Sequence, residues 1–240
     1  MAEAILYKDN RTKGFFMEKL IRYSDWFSII GIGFLLNLTI IGYPFRIFSV
    51  FLHEWSHALM TLLTGGRIIE IVIDPQEGGH CLSSGGILFL ILNAGYLGNL
   101  LSGGAIMIAS GRTRYDRQIT LLIGVGTLVV TLLYVANGFG RAFSVGWGVG
   151  VLLLAIFGTQ MLCDLFLRLV GSFTATYALV DIGSDVLLRS HLRSDARMLA
   201  ELTHVPTLVW GTLWFAISLW SLWFFIKLAT PSSSEPTRSL

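Results

Sequence analysis

Charge is scarce in this sequence: 13% of its 240 residues are Asp, Glu, Lys or Arg, against 54% apolar residues. A soluble domain carries about 25% charged residues, so the composition excludes an ordinary water-soluble fold. The net charge of +2 is too small to attract a nucleic acid. Two cysteines, Cys81 and Cys163, cannot make a disulfide framework and say little about redox compartment. A cleavable signal peptide is not expected either. Lys8, Asp9, Arg11, Lys13, Glu18 and Lys19 precede the first long apolar run, so the first span is expected to act as its own insertion signal.

What is there is apolar sequence, with a mean hydropathy of +0.70. At about 20 residues per crossing, the chain holds six or seven spans and leaves no room for a separate soluble domain. Residues 1–24 read as a basic tail, with a short interfacial helix over 15–23. Residues 25–229 read as a single transmembrane domain and 230–240 as a disordered tail. Spans are expected at 26–43, 45–63, 85–110 and 119–136. A longer run from Ala142 breaks near Gly158-Thr159-Gln160 into a fifth and a sixth span, and a Trp-rich seventh covers 206–228. Between the second and third, Arg67-Ile-Ile-Glu-Ile-Val-Ile is β-branched and ends at Asp74-Pro75. This predicts a hairpin returning through His80 to Ser84, held at the interface because strand edges cannot face lipid. The fold class is therefore an all-α polytopic membrane protein of six to seven transmembrane helices with a short interfacial β-hairpin. Gly146 and Gly150 are spaced as a helix-packing face on the fifth span, and Asn93 and Asn99 are expected to face protein.

Within the second span, His53-Glu54-Trp55-Ser56-His57 spells H-E-x-x-H. With five histidines in the chain, chance placement gives that pattern about 0.003 times. On a helix, i and i+4 share a face, so both imidazoles can meet one tetrahedral zinc ion. Glu54 lies between them in angle, where it can take a proton from an activated water. Ionisable residues at membrane depth are costly and usually functional.

Two histidines leave a zinc site short of a protein ligand. An even number of crossings brings the ends of the second and sixth spans to one side of the membrane. The carboxylates to consider are Asp164, Asp181, Asp185 and Asp195. Asp164 is four residues before Arg168 and is expected to pair with it. Asp195 is explained as a cap for a helix beginning near Ala196. Asp181 is favoured as ligand by its depth, and Asp185 as a hydrogen-bonding partner of a ligating imidazole. Positive charge does not settle orientation, because Arg112, Arg114 and Arg117 oppose the bias elsewhere.

These residues carry a likeness. His53 to Ala58, Thr64-Gly65-Gly66, Asp74 to Gly79, Ala94 to Gly98, Val180-Asp181-Ile182 with Asp185, and Ser194-Asp195-Ala196 keep one order along the chain. In this set the chain resembles the site-2-protease class of intramembrane zinc metallopeptidases, closest to its B-like branch. The resemblance implies Zn²⁺, peptide-bond hydrolysis in the membrane, His53 and His57 as ligands and Glu54 as base. The substrate would be a membrane protein or peptide. The wider class takes its third ligand from an Asp-Gly pair, whereas this chain reads Asp181-Ile-Gly-Ser-Asp185. A second difference is His80-Cys81, read as hairpin surface or as accessory ligands. A substrate strand adding to the Arg67–Ile73 edge fits the way extended peptides bind. Rival readings are a non-proteolytic membrane scaffold or regulator that retains the metal site, and a small ion-coupled transporter. Oligomeric state is not encoded in any of these signals.

Overall fold

The structure, a computed structural model, describes residues 23–188 and 194–230. The two expected tails lie almost wholly outside the described residues, as does nearly all of the interfacial helix expected over 15–23. Eight helices and one hairpin follow in order: α1 (Tyr23–Asn37), α2 (Tyr43–Leu63), β1 (Arg67–Ile73), β2 (Gly79–Ser84), α3 (Leu88–Arg112), α4 (Asp116–Tyr134), α5 (Gly138–Phe157), α6 (Gln160–Gly183), α7 (Asp195–Thr203) and α8 (Thr207–Ala229). Five of these helices are long and apolar enough to cross a membrane, or six if the bent α1–α2 pair is one span. The molecule is a multi-pass integral membrane protein.

The expected six to seven spans become five or six for a local reason. Residues 26–63 offer one candidate crossing rather than two. A 3-10 turn at Ile40–Gly42 lies between the two helices, the flanking halves meet at 102°, and they pass as a span only together. Pro44 lies in the first turn of α2, where its missing N–H costs nothing. Gly65, at φ 82°, ends it in the left-handed conformation that only glycine adopts freely. Elsewhere the expected punctuation holds. α5 ends at Phe157, and Thr159 caps α6 by accepting from the Leu162 N–H.

α3 and α6 form the centre. α6 has 67% of its most apolar window buried, against 28% for α4 and for α5, whose outer faces are left to lipid. The close approach in the bundle is made by Gly103 and Gly171, where an added Cβ would meet the opposite backbone at 2.5 and 2.9 Å. It does not involve Gly146 and Gly150, which have open space around them, and Gly148 packs against α4 instead. Asn93 accepts a hydrogen bond from the Trp214 indole at 2.9 Å, whereas the buried Asn99 amide is bonded to no protein group among the described residues.

The hairpin is antiparallel, with Ile71 opposite Cys81 and Ile73 opposite Gly79. Ile71 and Ile73 are fully buried in a core shared with α2 and α6. The free edge expected on β1 is closed where it matters. Val135 bridges Ile71, the Ala136 N–H donates to the Ile71 carbonyl, and Asn137 bonds both backbone groups of Ile73. β2 has a strand on one side only, so it carries the available edge.

Candidate metal centre

α2 lays His53, Glu54 and His57 on its buried face. Both imidazoles converge on Asp195. Its Oδ2 is 2.9 Å from His53 Nε2 and 3.0 Å from His57 Nε2. The three donor atoms lie within 4.8 Å of one another, and among the described residues this is the one such group able to hold a metal ion. Each imidazole is oriented from behind. His57 Nδ1 donates to the Ile91 carbonyl at 2.7 Å, which turns Nε2 toward Asp195. His53 Nδ1 faces Asp181 Oδ2 at 3.7 Å, an electrostatic contact rather than a hydrogen bond. The Tyr96 ring stands edge-on to His53 at 4.9 Å, and its hydroxyl donates to Asp185.

A metal fits this arrangement. Ligands 2.0–2.1 Å from a tetrahedral ion sit about 3.3 Å apart, so Asp195 Oδ2 needs to draw back from each histidine nitrogen by only a few tenths of an ångström. Space for an ion comes from Gly95 on α3. An added Cβ there would lie 2.3 Å from His53 Nε2 and 2.5 Å from His57 Nε2. Any side chain at that position would fill the gap between the two imidazole nitrogens.

Of the carboxylates named from sequence, the structure brings Asp181 beside the ligand cluster and Asp185 one contact further away, on Tyr96. Asp164 is held by Arg168, whose Nε lies 3.0 and 2.9 Å from its two oxygens. Asp195, assigned a capping role from sequence, is not the cap. Ser194 is the N-cap, accepting from the Arg197 N–H, and Asp195 is the first residue of α7. Ala196 and Leu199 are fully buried against Leu92, Tyr96, Ile182 and Trp214. That docking aims Asp195 at the histidines. Burial alone would raise its carboxyl, but the charges and hydrogen bonds of His57 and His53 hold it well below the usual carboxylate range. One signal for it was present: Ser194 stands immediately before and satisfies the cap, which leaves Asp195 without a local task.

The histidines, Glu54 and Asp195 line a cavity of about 620 Å³, with Gly78 to Ser83 of the hairpin along one wall. Glu54 is 5% exposed, and its Oε1 is 2.9 Å from where a Cβ on Gly79 would be. The strand backbone thus passes directly over it. Cys81 shares the Gly79 face by strand alternation, and His80 takes the other. Neither belongs to the donor cluster.

Comparison with curated proteins and with solved structures gives no match. The peptidase M50B-like family model matches residues 26–225, a stretch that includes every side chain of this site. The chain belongs to the peptidase M50B-like family, membrane metallopeptidases of the site-2-protease class.

Proposed function

We propose that the chain is a zinc-dependent intramembrane protease whose metal ligands are His53, His57 and Asp195 and whose general base is Glu54. The observation that carries this reading is the meeting of His53 Nε2, His57 Nε2 and Asp195 Oδ2 beside Glu54 in one cavity. Zn²⁺ held there would supply Lewis acidity for the scissile carbonyl and lower the pKa of a water toward 7.

The remaining chemistry belongs to the chain. Glu54 accepts the proton of the attacking water at a carboxylate oxygen and returns it to the leaving amine. Asp181 and the Ile91 carbonyl hold the two imidazoles with Nε2 turned inward. The open edge of β2, Gly79–Ser84, suits an extended substrate segment. A peptide adding there runs past Glu54. A transporter reading would have to rest on Asp181, because Asp164 is paired with Arg168.

Metal analysis with a hydrolysis assay tests the proposal. Purified protein should carry about one zinc per chain, and His57→Ala should carry none. Glu54→Gln should keep the zinc and lose hydrolysis, because the amide is nearly isosteric but not a base. Zinc with turnover independent of Glu54 would remove the base assignment. Zinc with no turnover in the wild type would favour a scaffold.

A further inference from the structure

We infer that Asn137, in the turn between α4 and α5, is a positioning residue that fixes the height of the substrate-facing hairpin over Glu54. The inference rests on the peptidase reading of the cavity. Asn137 occupies the N-cap of α5, where an Asn side chain ordinarily accepts from its own helix. Here it makes no capping bond. Its Nδ2 donates to the Ile73 carbonyl at 2.7 Å, and its Oδ1 accepts from the Ile73 N–H at 3.2 Å. One amide thus satisfies both backbone groups of one strand residue, as a neighbouring strand would. Beside it, the Ala136 N–H donates to the Ile71 carbonyl at 2.9 Å. Gly140 leaves the amide its room, since a Cβ there would lie 2.4 Å from Asn137 Oδ1.

The register carries this grip to the site. Ile73 is paired with Gly79, and the Gly79 backbone is the part of β2 that lies against Glu54. Asn137 therefore holds the strand residue directly across from the one over the base. α4 and α5 contribute no side chain to the cavity, yet through this turn they set the distance between its strand wall and its helix wall.

The test uses full-length, zinc-loaded protein in detergent and two probes. One is a peptidyl hydroxamate, with an extended backbone that can reach the strand. The other is acetohydroxamate, a chelating group with no backbone to place. Asn137→Ala should weaken the peptidyl probe about tenfold, the size of a lost pair of backbone bonds, and leave acetohydroxamate and zinc content unchanged. Amide exchange of β1 in the metal-free protein should rise in the same variant. Gly140→Ala, which displaces the amide without deleting it, should reproduce both effects if Asn137→Ala folds poorly. Arg117→Ala, at the far end of α4 where Arg117 bonds the Gly158 carbonyl, should do neither. Unchanged exchange, equal loss of both probes, or the same effect from Arg117→Ala would overturn the inference. If wild type binds neither probe, the peptidase reading has failed, and the clamp is then decided by exchange alone.

Discussion

At the scale of single residues, the site depends on which groups touch the donor nitrogens and which stand behind them. Asp195 Oδ2 reaches both His53 and His57, whereas Asp181 reaches only the rear nitrogen of His53. In the proposed centre, removing the first deletes a ligand and removing the second only loosens one. We expect Asp195→Ala to lose zinc, and Asp181→Ala to weaken zinc binding by about 10–100-fold, both read by titration against a chelator. Full zinc retention in Asp195→Ala with loss in Asp181→Ala would exchange their roles. Gly95 makes a separate demand. Gly95→Ala places a methyl within 2.5 Å of both ligand nitrogens, so it should abolish zinc binding while the protein stays folded. A Gly95→Ala protein with full zinc would mean that α3 does not border the metal.

Elements differ in how much of themselves they disclose. α2 was legible because its chemistry is local: i and i+4 on one helix need no knowledge of the fold. The hairpin was legible too, from β-branched residues stopped by Pro75 and the Gly78-Gly79 pair. α7 was not. Asp195 reaches His53 across 142 positions of sequence, and an aspartate at a helix start looks the same whether or not a metal waits beside it. The Asn137 grip on β1 was hidden for the same reason, since an Asn before Gly reads as an ordinary turn. Cys81 supplies a test at this scale. Burial, helped by the nearby Glu54 charge, pushes its thiol up to about 12. At pH 8 iodoacetamide should modify it roughly a thousandfold more slowly than an ordinary exposed thiol, with the rate rising as pH approaches that value. Rapid modification at pH 8 would show that the hairpin does not shield Cys81 from water.

For the whole molecule, the bundle has two chemically different ends. One gathers the C-terminal half of α2, the hairpin, the start of α3, the end of α6 and α7, and it holds the site. The other is tied by Arg112 to the Leu228 carbonyl, Arg117 to the Gly158 carbonyl and Gln160 to Asp116. α3 connects them, and its 25 residues extend about 37 Å at 1.5 Å per residue, enough to cross a bilayer. The even number of crossings inferred from sequence thus has its physical counterpart: α2 and α6 both point their C-terminal ends at the hairpin. Relative sidedness follows whichever way the protein is inserted. In a background with Cys81 and Cys163 replaced, a cysteine at Gln76 in the hairpin turn and one at Glu201 on α7 should react with an impermeant maleimide from the same side of sealed vesicles. A cysteine at Tyr115, exposed between α3 and α4, should react only from the opposite side. If Gln76 and Tyr115 label from the same side, α3 does not cross, and the hairpin and α7 lose the common face on which the proposed site is built.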